Sequence, residues 1–264
     1  MLIVGERINT SRKPITEATE KRDAAFILNE AHRQKEAGAH LIDVNAGTFA
    51  EREKENLLWL VETLTGAGDV SLCIDSSDPN VVGEALHLCG GETMVNSITA
   101  EKENYAAMLP LIKQYGCKVV ALSMDDEGIP GELSKKLDVC RLLVHNLLNE
   151  GIEADNIYVD PLVMSISTGQ DGGVVTLKTI EGIREISPDI HTICGLSNIS
   201  FGVPVRKLLN RTFLTMAMTV GLDAVILDPL DKHMMASLLA ANAILGADTF
   251  CRDYIAAYRN QMLE

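Results

Sequence analysis

No apolar run in this sequence approaches the roughly 18 residues that a bilayer-crossing helix needs, so no membrane span is expected. Basic residues are in the minority: 23 Lys and Arg stand against 37 Asp and Glu, a formal net charge of −14. Nucleic acid needs a basic footprint and is therefore a poor candidate partner. The six cysteines, Cys73, Cys89, Cys117, Cys140, Cys194 and Cys251, form no CxxC pair. The opening MLIVGERIN has neither a basic leader nor a small-residue cleavage site. Reduced, buried thiols in a cytoplasmic protein follow as the expectation. Linkers, low-complexity tracts and composition breaks are also missing, which points to one domain over residues 1–264.

Several catalytic devices are absent as well. The chain has no GxSxG, no HExxH, no phosphate-binding P-loop and no His/Cys cluster at zinc spacing. Its histidines (His32, His40, His87, His145, His191 and His233) fall mostly within helical stretches or at strand starts. No lysine stands at a strand end, which disfavours Schiff-base chemistry. A bound metal is not expected.

What is present is a recurrence. Short apolar runs end again and again in Asp or Asn: LIDVN at Asp43 and Asn45, LCIDSS at Asp75, TMVNS at Asn96, IYVDP at Asp160 and TICGLSN at Asn198. Strands are expected at 2–5, 40–44, 71–75, 93–96, 118–122, 156–160, 190–194 and 223–227. Most are continuously apolar, as parallel strands covered on both faces are. Helix-length amphipathic stretches at 16–38, 50–66, 79–89, 103–115, 132–150, 174–186, 203–220 and 229–246 alternate with them. Eight strands alternating with eight helices, in a chain close to the roughly 250 residues typical of the fold, predict a (β/α)8 TIM barrel. A further helix is expected over 248–262. Gly38, Gly116, Gly151 and Gly221 mark helix ends, and Asp78-Pro79 and Asp228-Pro229 read as helix starts.

Barrel active sites lie at the carboxyl ends of the strands, so the recurring Asp and Asn residues converge on one mouth. An ionised Asp only accepts hydrogen bonds, whereas Asn both accepts and donates. Asp75, Asn96 and Asp160 together suit a flat heterocycle with a mixed donor–acceptor edge. The plainer alternatives are that Asp75 caps the next helix and Asp160 precedes a proline turn. Asp43 and Asn45 could equally shape a local turn. Gly195 and Ser197 add close backbone approach and a hydroxyl beside Asn198. Glu6 and Asn9 could reach the mouth, although Glu6-Arg7 reads preferentially as an internal ion pair.

LIVGERIN, LIDVNAG, LCIDSS, VNS, IYVDPL, GLSNIS and LLNRTFLTMAM occur in this order from residue 2 to residue 218. The set resembles the pterin-binding methyltransferases that exchange a methyl group between methyltetrahydrofolate and a corrinoid protein, relatives of the folate domain of cobalamin-dependent methionine synthase. The resemblance implies that Asp75, Asn96 and Asp160 hold the pterin and that Asn198 contacts N5, with Asp160 linked to it. It places Gly195 and Ser197 in the same loop and Asp43 and Asn45 in support. It also implies tetrahydrofolate or methyltetrahydrofolate as substrate, a cobalamin carried by a separate corrinoid protein, and a homodimer. Met124-Asp125-Asp126 departs from the pattern of the acetyl-CoA-pathway members, which bears on the identity of that partner. A dihydropteroate-synthase-like enzyme and a non-catalytic pterin-binding subunit are the alternatives; the first lacks its basic diphosphate motif, since the last strand runs into AVILDPLD.

Overall fold

The computed structural model describes residues 1–66 and 70–263. Eight parallel strands form one sheet: β1 (Leu2–Asn9), β2 (Leu41–Asn45), β3 (Ser71–Asp75), β4 (Thr93–Thr99), β5 (Lys118–Leu122), β6 (Ile157–Asp160), β7 (His191–Thr192) and β8 (Ala224–Leu227). Their order runs β7-β6-β5-β4-β3-β2-β1-β8. A parallel bridge between Gly195 and Ile226 joins the two ends, with Ile226 N donating to Cys194 O at 2.9 Å. The sheet thus closes into a TIM barrel.

Two apolar cores explain why the strands read as continuous runs. Outward residues such as Ile42, Val44, Ile74, Val95 and Val159 pack beneath the helices. Inward residues, among them Val4, Leu41, Cys73, Met94, Val120 and Tyr158, fill the barrel itself. Side chains alternate along a strand, so the next inward positions after these are two residues on. They are Glu6 after Val4, Asp43 after Leu41, Asp75 after Cys73, Asn96 after Met94 and Asp160 after Tyr158. The same period that builds the inner core therefore carries polar groups onto its upper layer.

The helices are α1 (Lys13–Glu20), α2 (Ala24–Glu36), α3 (Glu53–Gly66), α4 (Pro79–Leu88), α5 (Lys102–Tyr115), α6 (Leu133–Asn149), α7 (Gly172–Arg184), α8 (Arg206–Thr219), α9 (Lys232–Ile244) and the extra C-terminal α10 (Arg252–Arg259). Leu57, Leu60, Val61 and Leu64 of α3 show the spacing that faces a core, each burial contributing about 1.5–3 kcal/mol. Left-handed glycines follow the helices as expected, with φ of 104° at Gly38, 60° at Gly116, 84° at Gly151 and 107° at Gly221. Asp78 caps α4, accepting from Asn80 N at 2.9 Å, with Pro79 in the first turn.

Several boundaries differ from the sequence reading. The stretch 16–38 is two helices, because Arg22 turns the chain at φ 53° and Asp23 caps a new start by accepting from Phe26 N. The last barrel helix starts not at Asp228-Pro229 but at Asp231, whose carboxylate accepts from Met234 N at 3.3 Å. Asp228 is engaged elsewhere, by Leu230 N and Arg7. Strands β1 and β4 run past their apolar cores, each with a register shift, between Gly5 and Ile8 and between Asn96 and Ile98. Strand β7 shortens to two residues, and the closing bridge at Gly195 takes over beyond it.

Candidate active site at the barrel mouth

Strand register assembles the first half of the site. Asn9 pairs with Asn45, Asn45 with Asp75 and Asp75 with Asn96, one level across four neighbouring strands. The Asn45 amide donates to Asp75 Oδ2 at 2.9 Å, while its Oδ1 accepts from Gly47 N at 3.0 Å. Asn45 thus shapes its own turn and orients the neighbouring carboxyl. Asp75 does not cap α4, since Asp78 holds that place. Burial raises its pKa to about 6.

Asp43 lies one step deeper, at 3 % exposure, level with Cys73. Burial and the neighbouring Asp75 charge push its carboxyl well above the usual range, outweighing the Cys73 thiol and the Asn96 side chain against it. One Asp43 oxygen, Oδ1, is buried with no hydrogen-bond partner among the described residues.

Asp160, 7 % exposed, closes β6 on the far side of the mouth. Its Oδ1 accepts from Leu162 N at 2.7 Å. Burial raises its pKa to about 7; the Leu162 and Gly195 amides and Lys136 pull the other way. Lys136, from α6, is 1 % exposed and donates to the carbonyls of Pro161 at 2.7 Å and Leu162 at 3.1 Å. A buried ammonium is costly unless hydrogen bonded. Here it braces the turn that carries Asp160. The sequence reading missed it, although Lys136 shares the helical face of Val139, Cys140, Leu143 and Leu147.

After β7 the chain makes a single turn of 3-10 helix, Leu196–Ser200. Ser197 and Asn198 stand on it, Asn198 exposed and Ser197 half-buried. Arg206 fastens this turn from the start of α8, donating to Ser197 O at 2.8 Å and Ser200 Oγ at 3.1 Å.

Glu6 corrects another expectation. It does not pair with Arg7, because adjacent strand residues point to opposite faces. Arg7 turns outward to Glu30 and Asp228, the latter at 2.6 Å. Glu6 turns inward, where Ser197 Oγ donates to it at 3.3 Å. Burial, followed by the charge of Asp228, raises its pKa to about 7. Asp43, Asp75, Asp160 and Glu6 therefore form a mouth of carboxyl groups that all hold protons more tightly than usual. Strongly shifted groups in a cleft mark functional sites.

A cavity of about 550 Å3 opens on the β1–β8 side. Glu6, Asn9, Ser197 and Asn198 line it; Asp75, Asn96 and Asp160 do not. Among the described residues no group of three or more His, Cys, Asp or Glu is arranged to hold a metal ion.

Residues 5–228 match the family of pterin binding enzymes. The chain belongs to that family. Among pterin-binding relatives, it is 40 % identical over 261 residues to a methylcorrinoid:tetrahydrofolate methyltransferase of Eubacterium limosum, covering 98 % of this chain and 96 % of that protein. It is also 30 % identical over 239 residues to methionine synthase of Mycobacterium tuberculosis, spanning only 20 % of that longer protein. The dihydropteroate synthase of Yersinia pestis shares the fold, with a TM-score of 0.70, 18 % identity and 93 % of each chain covered.

Proposed function

We propose that this pterin-binding enzyme moves a methyl group between N5 of tetrahydrofolate and the cobalt of a corrinoid carried by a separate protein. The near full-length identity to the Eubacterium limosum methyltransferase carries this reading. The carboxyl–amide arrangement supports it independently. In the direction named for that relative, N5 attacks the methyl carbon, the carbon–cobalt electron pair stays on cobalt, and N5 gives up its proton.

Asp75, Asn96 and Asp160 would hold the ring edge, the two carboxyls accepting from the amino group and ring N–H. Holding the ring fixes where N5 points, which is an orientation effect. Asn198 would bond at N5, most strongly as charge develops there, and only such a differential bond accelerates transfer. The proton passes to a carboxylate whose pKa lies near neutrality, and Glu6 and Asp160 both qualify. Gly195 and Ser197 shape the loop, while Asp43 and Asn45 support Asp75.

The corrinoid protein would dock over the mouth. At the opposite end of the chain, Ile244 (85 % exposed), Phe250 (95 %) and Tyr258 (66 %) leave an apolar face on α9, α10 and the turn between them. That face supports a homodimer. The deciding assay mixes the protein with tetrahydrofolate and free methylcob(III)alamin and follows the visible spectrum anaerobically. Appearance of cob(I)alamin only with enzyme and folate together is expected. Tight folate binding without any spectral change would make the chain a non-catalytic pterin-binding subunit.

A further inference from the structure

The cavity beside Asn198 differs in chemistry from the ring clamp. In a chain of net charge −14, it gathers Arg12, Arg206 and Lys207 beside the carboxyls of Glu6, Asp228 and Asp231, of which Asp228 is paired with Arg7. Arg206 is committed to the Leu196–Ser200 turn. Lys207 lies 3.3 Å from Asp231. Arg12, half-buried between β1 and α1, makes no ion pair or side-chain hydrogen bond among the described residues, although its charge bears on Glu6. Asn210 lines the same space and leaves its Oδ1 buried and unpartnered. The start of α8 also faces the cavity through Arg206 and Lys207, and its Val205 N-cap offers no side-chain acceptor. Uncapped first-turn N–H groups favour a negative ligand.

Covalent connectivity says what would enter. If N5 lies at Asn198, as in the proposed function on which this inference rests, then ring carbon C6 is its bonded neighbour. C6 carries the folate side chain, a p-aminobenzoyl ring followed by glutamate with free carboxylates. The tail must leave the ring beside Asn198, where this cavity begins. Its volume lies within the ordinary range of about 300–1,000 Å3 for small-molecule sites.

We propose that the cavity is a tail subsite in which glutamate carboxylates pair with Arg12 and Lys207, so that polyglutamylated folates are the preferred substrates. A guanidinium without a carboxylate partner is suited to a bidentate one from the ligand. Lys207 would exchange Asp231 for a second carboxylate farther along the γ-linked chain.

Calorimetric titration of the full chain tests this with 6-methyltetrahydropterin, tetrahydrofolate monoglutamate, tetrahydrofolate triglutamate and inorganic pyrophosphate. The expected order is triglutamate, monoglutamate, then the tail-less pterin, with about tenfold between successive ligands, as charge-assisted bonds of ordinary strength imply. Arg12→Gln should collapse the difference between the two folates, and Lys207→Gln on a separate element should do so in part. Equal affinity for mono- and triglutamate in the unmodified protein would overturn the proposal. So would a loss in both variants that is the same for the tail-less pterin. Pyrophosphate binding more tightly than the triglutamate adds would reassign the cavity to a diphosphate. Failure of the tail-less pterin to bind at all would instead remove the ring clamp, and this inference with it.

Discussion

The Asn198 side chain lies over the α-carbon of Gly195, so close that a Cβ added there would stand 3.3 Å from Nδ2. Gly195 also makes the bridge that closes the barrel, against Ile226. Closure and the placement of Asn198 thus depend on the same residue. Gly195→Ala should move the Asn198 amide by a few tenths of an ångström while leaving the fold intact. Methyl transfer is expected to fall by about one to two orders of magnitude, since small misplacements of reacting partners are costly. Rapid-mixing rates set against thermal unfolding of the same variant check this; an unchanged rate would mean that Asn198 is not held for catalysis.

Removing the amide directly should cost more. Asn198→Ala is expected to lose about 2–4 kcal/mol of transition-state stabilisation, by analogy with losing one oriented amide donor. Folate affinity should change little, because Asn198 is exposed and the proposed ring clamp is Asp75, Asn96 and Asp160. Stopped-flow transfer alongside calorimetry separates the two quantities. Equal losses in rate and affinity would assign Asn198 to ground-state binding.

The carboxyl groups make stability depend on pH in a definite direction. Burial raises the pKa of Asp75 to about 6 and those of Asp160 and Glu6 to about 7, all above the ordinary carboxylate range. The folded protein therefore binds protons that the unfolded chain has already released. The contribution of these groups is fully present below about pH 4 and is lost as pH rises to about 7. Asp160→Asn, which can still accept from Leu162 N, should be more stable than the parent by roughly 2–4 kcal/mol at pH 8 and no more stable at pH 4. Urea unfolding at the two pH values measures this. A gain that is the same at both would show that the carboxyl is not the source.

Lys136 offers a separate test. Lys136→Met keeps the bulk of the side chain but leaves the Pro161 and Leu162 carbonyls without their donor. A stability loss of about 1–3 kcal/mol is expected. Folate binding at pH 7 should weaken as well, because Asp160 loses the charge that favours its ionised form. Raising the pH should restore part of the affinity, a recovery that mere loosening of the turn would not produce.

Glu6→Gln addresses the proton. With the pKa of Glu6 at about 7, the single-turnover rate of the parent should bend near that pH, and the variant should lose that bend. Overlapping profiles would leave Asp160 as the proton acceptor.

By itself the sequence determined the strands, the barrel class and the level at which the strand-end polar residues stand. Strand runs such as LIDVN and LCIDS carry their own period: the residue two beyond each inward apolar side chain must also point inward. Asp43, Asp75, Asn96 and Asp160 were legible because each closes such a run, and so were the helix-ending glycines, whose backbone angles are local. Tertiary structure alone decided which side chains meet. That Asn45 bonds Asp75, that Glu6 turns to Ser197 while Arg7 turns to Asp228, and that Lys136 braces the turn after β6 all depend on neighbouring strands and on crossover helices. The same holds for the cavity that Arg12 shares with Lys207, nearly two hundred residues along the chain. Alternation fixes the face on which a residue stands; only closure of the sheet brings the first and last strands together and sets what it faces there.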